Sequence, residues 1–407
     1  MQGRSAAWKP GPPRLTCPVC TAWGEIMVKI ASVKASAHSC PFEGPIVRMG
    51  LGGNIKRDFV LVRVRADDGT EGIGEAHHGQ NLTAMAEIIE KGLGSLIVGD
   101  DPFDSEGIWA KLSRQQVVTH GLGAGSVIGL SGIDNALWDL KGKLLGQPVY
   151  RLLGGSKRRT RAYAGGLSLG FKDPGELEKE VAQLMSEGYT AIKMRVGDTV
   201  KKDAERVGHI RKIFGDTLDI AVDAATRYTQ LDLPEVIKYC EANRVYWLEE
   251  PFTPDNHIAY AELRKRTAIP IAAGENHYTR QAFRDLFEAR AIVICQADPT
   301  KAGGLTELKK ISDMAAAWHL HMAPHTSHSV LSAAVNAHLL SVIPNALIYE
   351  ADVAKVNPFR TDLATEPFGV VNGYIEPKDA PGFGIQVNET VLKAYPAVPG
   401  PCYIPGK

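Results

Sequence analysis

The chain has no run of eighteen or more consecutive apolar residues, so it offers no transmembrane helix. It has no surplus of either charge: 46 Lys and Arg balance 46 Asp and Glu. No broad electrostatic field therefore draws it to nucleic acid or to a membrane surface. Its first 26 residues lack the apolar core of a secretory signal. Cysteine is scarce, with six in 407 residues: Cys17, Cys20, Cys40, Cys240, Cys295 and Cys402. A cytoplasmic location with free thiols is the expectation. Cys17 and Cys20 form a single CxxC, and no second pair completes a zinc site.

What is present is ordinary globular material, 44% hydrophobic and 23% charged. The length asks for one large barrel or two domains. Residues 1–26 are rich in Pro, Gly and Trp without a period, and read as an extension outside the fold. Residues 27–150 read as an α+β domain. "RDFVLVRVRADDGTEGIGEA" alternates apolar and polar residues and turns at Asp-Gly, a hairpin pattern. "SGIDNALWDLKGKLLGQP" carries Ile133, Ala136, Leu137, Leu140 and Leu144 on one helical stripe. Ser131, with Asp134 three residues later, is expected to cap that helix.

Beyond residue 150 the rhythm changes. Short apolar segments near 161, 190, 218, 245, 269, 291, 319 and 346 alternate with helical stretches. Eight strands spaced by helices predict a parallel (β/α)8 barrel over 151–351. The Pro-rich segment 352–407 is expected to fold back over the first domain or the barrel mouth.

Several polar residues fall at the ends of these strands, where barrels keep their sites. Asp223, Glu249 and Glu275 are 26 residues apart, one βα unit each. Three crowded carboxylates repel unless a cation lies among them, and hard oxygen ligands select Mg²⁺. Glu250, beside Glu249, is expected on the opposite face. Asp298 and His325 end the next two strands, a carboxylate that can orient and strengthen an imidazole base. Glu350 closes the ring. In "TAIKMRVG", Lys193 and Arg195 share one face of a buried strand beside these acids. They are expected to meet a negatively charged pocket and the carboxylate of a small-molecule substrate. Salt bridges to the acids themselves are the plainer alternative.

The constellation of "KMR", "VDA", "LEEP", "GEN", "ADPTKAGG", "APH" and "YE" resembles the enolase superfamily, and within it the mandelate racemase subgroup. "SGIDNALWDLKGK" is similar to that family's signature before its barrel. The resemblance implies a cap domain of 27–150 plus the tail over the barrel. It also implies Mg²⁺ at Asp223, Glu249 and Glu275, and abstraction of the proton α to a substrate carboxylate. Asp298 paired with His325 matches the mandelate-racemase pattern, where other relatives carry a lysine base; Lys301 looks like a supporting residue. Cap segments with Asn54, His77 and His78 are candidates for substrate contact, the histidines equally readable as exposed loop residues.

Two positions depart from the pattern. Arg195 stands where relatives usually carry a second lysine base, and an arginine does not give up its proton. Ala225 replaces a common Asn, whose hydrogen bond Arg227 or Tyr228 could supply. With one base, His325, dehydration of an aldonate or aldarate to a 2-keto-3-deoxy acid is more natural than racemisation. A racemase, epimerase or cycloisomerase is the alternative, and a non-catalytic relative a further one. A symmetric homo-oligomer is the prior expectation for such a chain.

Overall fold

The computed structural model describes residues 28–42, 47–50, 52–119 and 123–404. The segment 1–26, with Cys17 and Cys20, lies outside the described residues. Three antiparallel strands open the fold: β1 (Ile30–Pro41), followed after the short β2 (Val47–Met49) and β3 (Gly52–Asn54) by β4 (Lys56–Ala66) and β5 (Glu71–Ala76). β4 is central, pairing β1 on one side and β5 on the other. The hairpin turns where expected: Ala66 and Thr70 close it, with Gly69 at φ 91°.

One face of this sheet packs on the helix Gly123–Leu144. Val60, Val62, Ile133, Ala136, Leu137 and Leu140 fill the space between them, all essentially inaccessible to solvent. Approach is so close that a Cβ on Gly72 would lie 2.1 Å from the Ala136 carbonyl oxygen. The helix begins eight residues before Ser131, so Ser131 is not its cap. Instead Ser131 Oγ donates to the Val127 carbonyl at 2.7 Å within the helix. The tertiary packing of this helix on the sheet overrides the local capping pattern.

Eight parallel strands follow: β6 (Thr160–Gly165), β7 (Ala191–Arg195), β8 (Asp219–Asp223), β9 (Leu248–Glu249), β10 (Ile271–Ala273), β11 (Ile294–Cys295), β12 (His321–Met322) and β13 (Tyr349–Asp352). They pair in the order β12-β11-β10-β9-β8-β7-β6-β13, and a Met322–Ala346 bridge links the two ends. This is the (β/α)8 architecture. The interior holds a layer of Tyr163, Ala191, Ala221, Trp247, Ala272, Ile294, Ala323 and Ile348. Four alanines make room for Trp247 and Tyr163, which meet edge-on at 5.1 Å. The tail runs back along both units: β14 (Tyr374–Ile375) pairs β6, and β15 (Tyr403–Ile404) pairs β3.

The first unit is fastened to the barrel by the same helix. The barrel helix Gly304–Ala317 has no side-chain cap of its own. Asp134 accepts from the Thr306 N–H at 2.8 Å and Asn135 from the Leu305 N–H at 3.0 Å, capping it from across the interface. Burial raises the Asp134 carboxyl to about 7, partly offset by its bonds to Thr306. The docked helix and strands set the cap above the C-terminal ends of the barrel strands.

Candidate active site

The strand ends converge on a cavity of about 260 Å³. Asp223 is the last residue of β8 and Glu249 of β9, paired in register with Arg195 and with each other. Glu275 follows β10 by two residues, Asp298 and His325 follow β11 and β12 by three, and Glu350 lies within β13. Asp223, Glu275, His325 and Arg195 line the cavity.

Lys193 does not reach the wall. It is 1% exposed, with Nζ 2.5 Å from Glu249, 2.8 Å from Glu350 and 3.6 Å from Asp223. Burial works against its charge, but Glu249 and Glu350 outweigh that and hold it well above its ordinary value. Arg195 pairs with Asp223 and donates to the Gly166 carbonyl at 2.6 Å. Both cations thus spend charge on the strand-end acids, the plainer of the two sequence readings. Only Arg195 also faces the cavity.

Glu249 is held from below by Trp247 Nε1 at 3.0 Å and Gln296 Nε2 at 2.5 Å. Burial and the neighbouring Asp223 and Glu350 outweigh Lys193 and raise it to about 7. Glu250 departs from the sequence expectation. The strand stops at Glu249, and Glu250 adopts φ 37°, so period-two alternation no longer applies. Its carboxylate accepts from Asn276 Nδ2 at 3.1 and 2.9 Å and lines the same cavity. Burial, then Glu275 and Asp223, push its carboxyl well above the usual range. Lys301 Nζ donates to Asn276 Oδ1 at 2.8 Å and so supports that side from behind.

His325 Nδ1 lies 2.5 Å from Asp298 Oδ2, and Nε2 lies 3.2 Å from Glu275. Asp298 is inaccessible to solvent and anchored by the Thr300 N–H at 2.6 Å, Thr300 Oγ1 at 2.7 Å and Ser327 Oγ at 2.7 Å. This fixes the tautomer with its proton on Nδ1 and turns Nε2 to the cavity. Burial opposes the imidazolium, but Glu275, Glu350 and Asp298 raise His325 to about 9; a cation held by Glu275 would offset that acid's charge and return Nε2 toward the bare form a base needs.

Six acids, all buried except the partly exposed Glu275 (Asp223, Glu249, Glu250, Glu275, Asp298, Glu350), thus lie among three fixed cations, Lys193, Arg195 and Lys301. The surplus of negative charge and the oxygen-only donors suit a hard divalent cation. Asp223, Glu250 and Glu275 lie on the wall, with Glu249 just beneath.

Four predicted substrate contacts fall elsewhere. Asn54 is buried and donates to the Cys402 carbonyl at 3.3 Å, because β15 covers β3. Exposed Arg227 reaches the Gly50 carbonyl at 3.4 Å. His77 and His78 stack on each other at 4.1 Å, and His78 accepts from the Gln80 N–H at 3.0 Å. Neither lines the cavity; His328, stacked on His78 at 5.1 Å, does. Cap residue Arg57 and tail residue Tyr403 also line it. The sequence carries no signal for these three, since their placement depends on cap and tail meeting over the barrel.

Two other features lie apart. Asp58, His78 and Cys402 bring one ligand atom each within 4.8 Å of one another. Lys56 already ion-pairs Asp58 at 3.0 Å, and burial pushes the Cys402 thiol up to about 12. A wider groove of about 570 Å³ runs between helices on the barrel's outside, past Val200, Ala204, Glu235 and Tyr239. It faces none of the strand ends.

Residues 30–154 match the family model described as mandelate racemase / muconate lactonizing enzyme, N-terminal domain, and residues 176–391 match "enolase C-terminal domain-like". Arabinonate dehydratase of Saccharolobus solfataricus is 33% identical over 83% of this chain and 90% of its own length. D-galactarolactone cycloisomerase of Agrobacterium fabrum is 32% identical over 87% and 94%. The crystal structure of an enolase-superfamily member from Polaromonas sp. JS666 superposes with TM-score 0.89 at 42% identity, covering 92% of this chain and all of that one.

Proposed function

The chain belongs to the mandelate racemase and muconate lactonizing enzyme branch of the enolase superfamily, and on that premise we propose that it dehydrates a sugar acid to a 2-keto-3-deoxy acid. The observation that carries the reading is the Asp298–His325 pair, with His325 Nε2 facing the acid-lined cavity and Arg195 rather than a lysine on the opposite wall. Asp223, Glu249 and Glu275 would hold Mg²⁺, with Glu250 next to them. The ion would supply the positive charge that makes a carboxylate's α-proton removable.

His325 Nε2 takes the proton from C2, and the electron pair moves into the C2–C3 bond as the C3–O bond breaks. The same Nε2–H passes its proton to the departing hydroxyl, which leaves as water. The enol that remains rearranges to the 2-keto-3-deoxy acid. Asp298 keeps Nδ1 protonated throughout. Arg195 clamps a carboxylate or hydroxyl oxygen and does not exchange a proton. Lys193 holds Glu249, Glu350 and Asp223 together beneath.

A screen of aldonic and aldaric acids with Mg²⁺, read as 2-keto acid formation, tests the reading; EDTA should abolish the signal and added Mg²⁺ restore it. The cycloisomerase relative keeps an isomerase as the second reading. Proton NMR in D2O separates them, because deuterium entering C2 without water loss contradicts dehydration.

A further inference from the structure

Nearer the mouth than the strand-end acids, the cavity has a further polar wall. Asp352 stands two residues beyond Glu350 on β13, so both point into the barrel. It lies roughly 6.8 Å nearer the mouth. Arg57, at the start of β4 in the cap, reaches down to it, with Nη2 2.8 Å from Asp352 Oδ2. Both side chains are nearly inaccessible and both line the cavity.

The pair is held in place from the Asp352 side. Asp352 accepts from the Ala354 N–H at 3.0 Å and from Asn357 Nδ2 at 2.9 Å, with Arg360 3.6 Å away. Burial alone would raise its carboxyl, but Arg57 and Arg360 bring it down to about 2. Arg57 is less committed: neither its Nε nor its Nη2 makes an aligned hydrogen bond. The rest of this wall is uncharged. Burial and Arg57 lower His328 to about 3, so it is neutral, and its Nδ1 has no partner. Burial likewise keeps the Tyr403 phenol protonated. Apolar Met49 and Leu167 also belong to the lining.

We propose that Arg57 and Asp352 form a specificity wall that selects a monocarboxylic sugar acid ending in a hydroxyl group over the dicarboxylic acid of the same length. With carbon–carbon bonds of roughly 1.5 Å, a five- or six-carbon acid extends roughly 5–6 Å between its end carbons, a length comparable with the rise of roughly 6.8 Å from Glu350 to Asp352. A terminal hydroxyl can accept from Arg57 and donate to Asp352 at once. A terminal carboxylate gains the same arginine but must sit against the fixed Asp352 charge, a repulsive element built against the wrong substrate. A lone arginine would have favoured the diacid.

The inference rests on the dehydratase reading, and its test separates the two. Wild-type enzyme with Mg²⁺ is assayed on aldonate and aldarate pairs differing only at the last carbon. Roughly hundredfold higher kcat/KM for the aldonate is expected, mostly in KM. Asp352→Asn should lower KM for the aldarate and raise it for the aldonate, narrowing the ratio at least tenfold. A wild type that takes both alike, or an unchanged ratio in Asp352→Asn, overturns the wall. If neither acid of a pair is dehydrated, the dehydratase reading fails. Thermal stabilisation of the wild type by each acid still decides the wall: a larger shift with the aldonate supports it, and equal shifts refute it.

Discussion

Replacing Asp298 with Asn changes one atom and should stop proton abstraction. Hydrogen-bond polarity decides which way the new amide faces. Oδ1 of Asp298 accepts from the Thr300 backbone N–H at 2.6 Å, and that group can only donate. An asparagine must therefore keep its oxygen there and turn its NH2 toward His325 Nδ1. Ser327 Oγ, 2.7 Å from Oδ2, can rotate to accept from the same amide, so the fold tolerates the change. The imidazole Nδ1 then becomes an acceptor, and the proton moves to Nε2, the nitrogen that must be bare to act as a base. The charge-assisted bond to Asp298, worth about 1.5–3 kcal/mol, is lost as well. That alone weakens the base by about one to two pK units at 1.36 kcal/mol each. Wrong tautomer and lost charge together predict a fall in kcat of about 10³- to 10⁴-fold, by analogy with the equivalent change in a serine protease triad. KM should barely move, because Asp298 has no exposed surface and does not line the cavity. The assay is steady-state 2-keto acid formation, paired with deuterium uptake at C2 in D2O. A variant keeping activity within tenfold of wild type, or losing it through KM, would refute the assigned roles of the pair.

Three further outcomes follow from other parts of the molecule. Arg195→Lys supplies a group that can exchange a proton on the wall opposite His325, so C2 deuterium incorporation without water loss should appear by NMR; unchanged product partitioning would count against Arg195 as the feature that restricts the enzyme to one base. Gly72→Ala places a Cβ 2.1 Å from the Ala136 carbonyl and 2.6 Å from Leu140 Cβ, forcing the sheet off the helix Gly123–Leu144, and should cost about 1–3 kcal/mol in denaturant unfolding. Burial, opposed by the Ser329 bond and helped by the Asp298 charge, raises Glu75 to about 8 from 4.5. The folded state thus keeps a proton that the unfolded chain releases. The stability tied to this proton is full below pH 4.5 and lost as pH rises through about 8, a difference of at most about 5 kcal/mol. Glu75→Gln, which retains an acceptor for the Ser332 N–H, should flatten that slope in denaturation curves taken between pH 5 and 9.

What the sequence made legible is the part set by repetition. Once a βα unit recurs every 26 residues or so, Asp223, Glu249 and Glu275 must arrive together at one rim, and Asp298 must meet His325. The parts it hid are those where one segment completes another. Asp134 looked like half of a local capping box, yet its oxygens cap a helix that begins 170 residues later. Asn54 and His78 looked available, but a strand from the far end of the chain buries them against Cys402. Glu250 escapes strand alternation because β9 ends at Glu249 and the next residue turns to φ 37°. Arg57 gave no sign at all: within "IKRDFVLV" it is one more charge at the head of a cap strand. Its meaning comes from Asp352, nearly three hundred residues away, and from the tail that places Tyr403 beside them. The division follows the chemistry. The groups that would remove a proton sit on the repeating scaffold, where spacing fixes them. The groups that would choose the substrate sit where cap, barrel and tail converge, and can change without disturbing the register of the barrel.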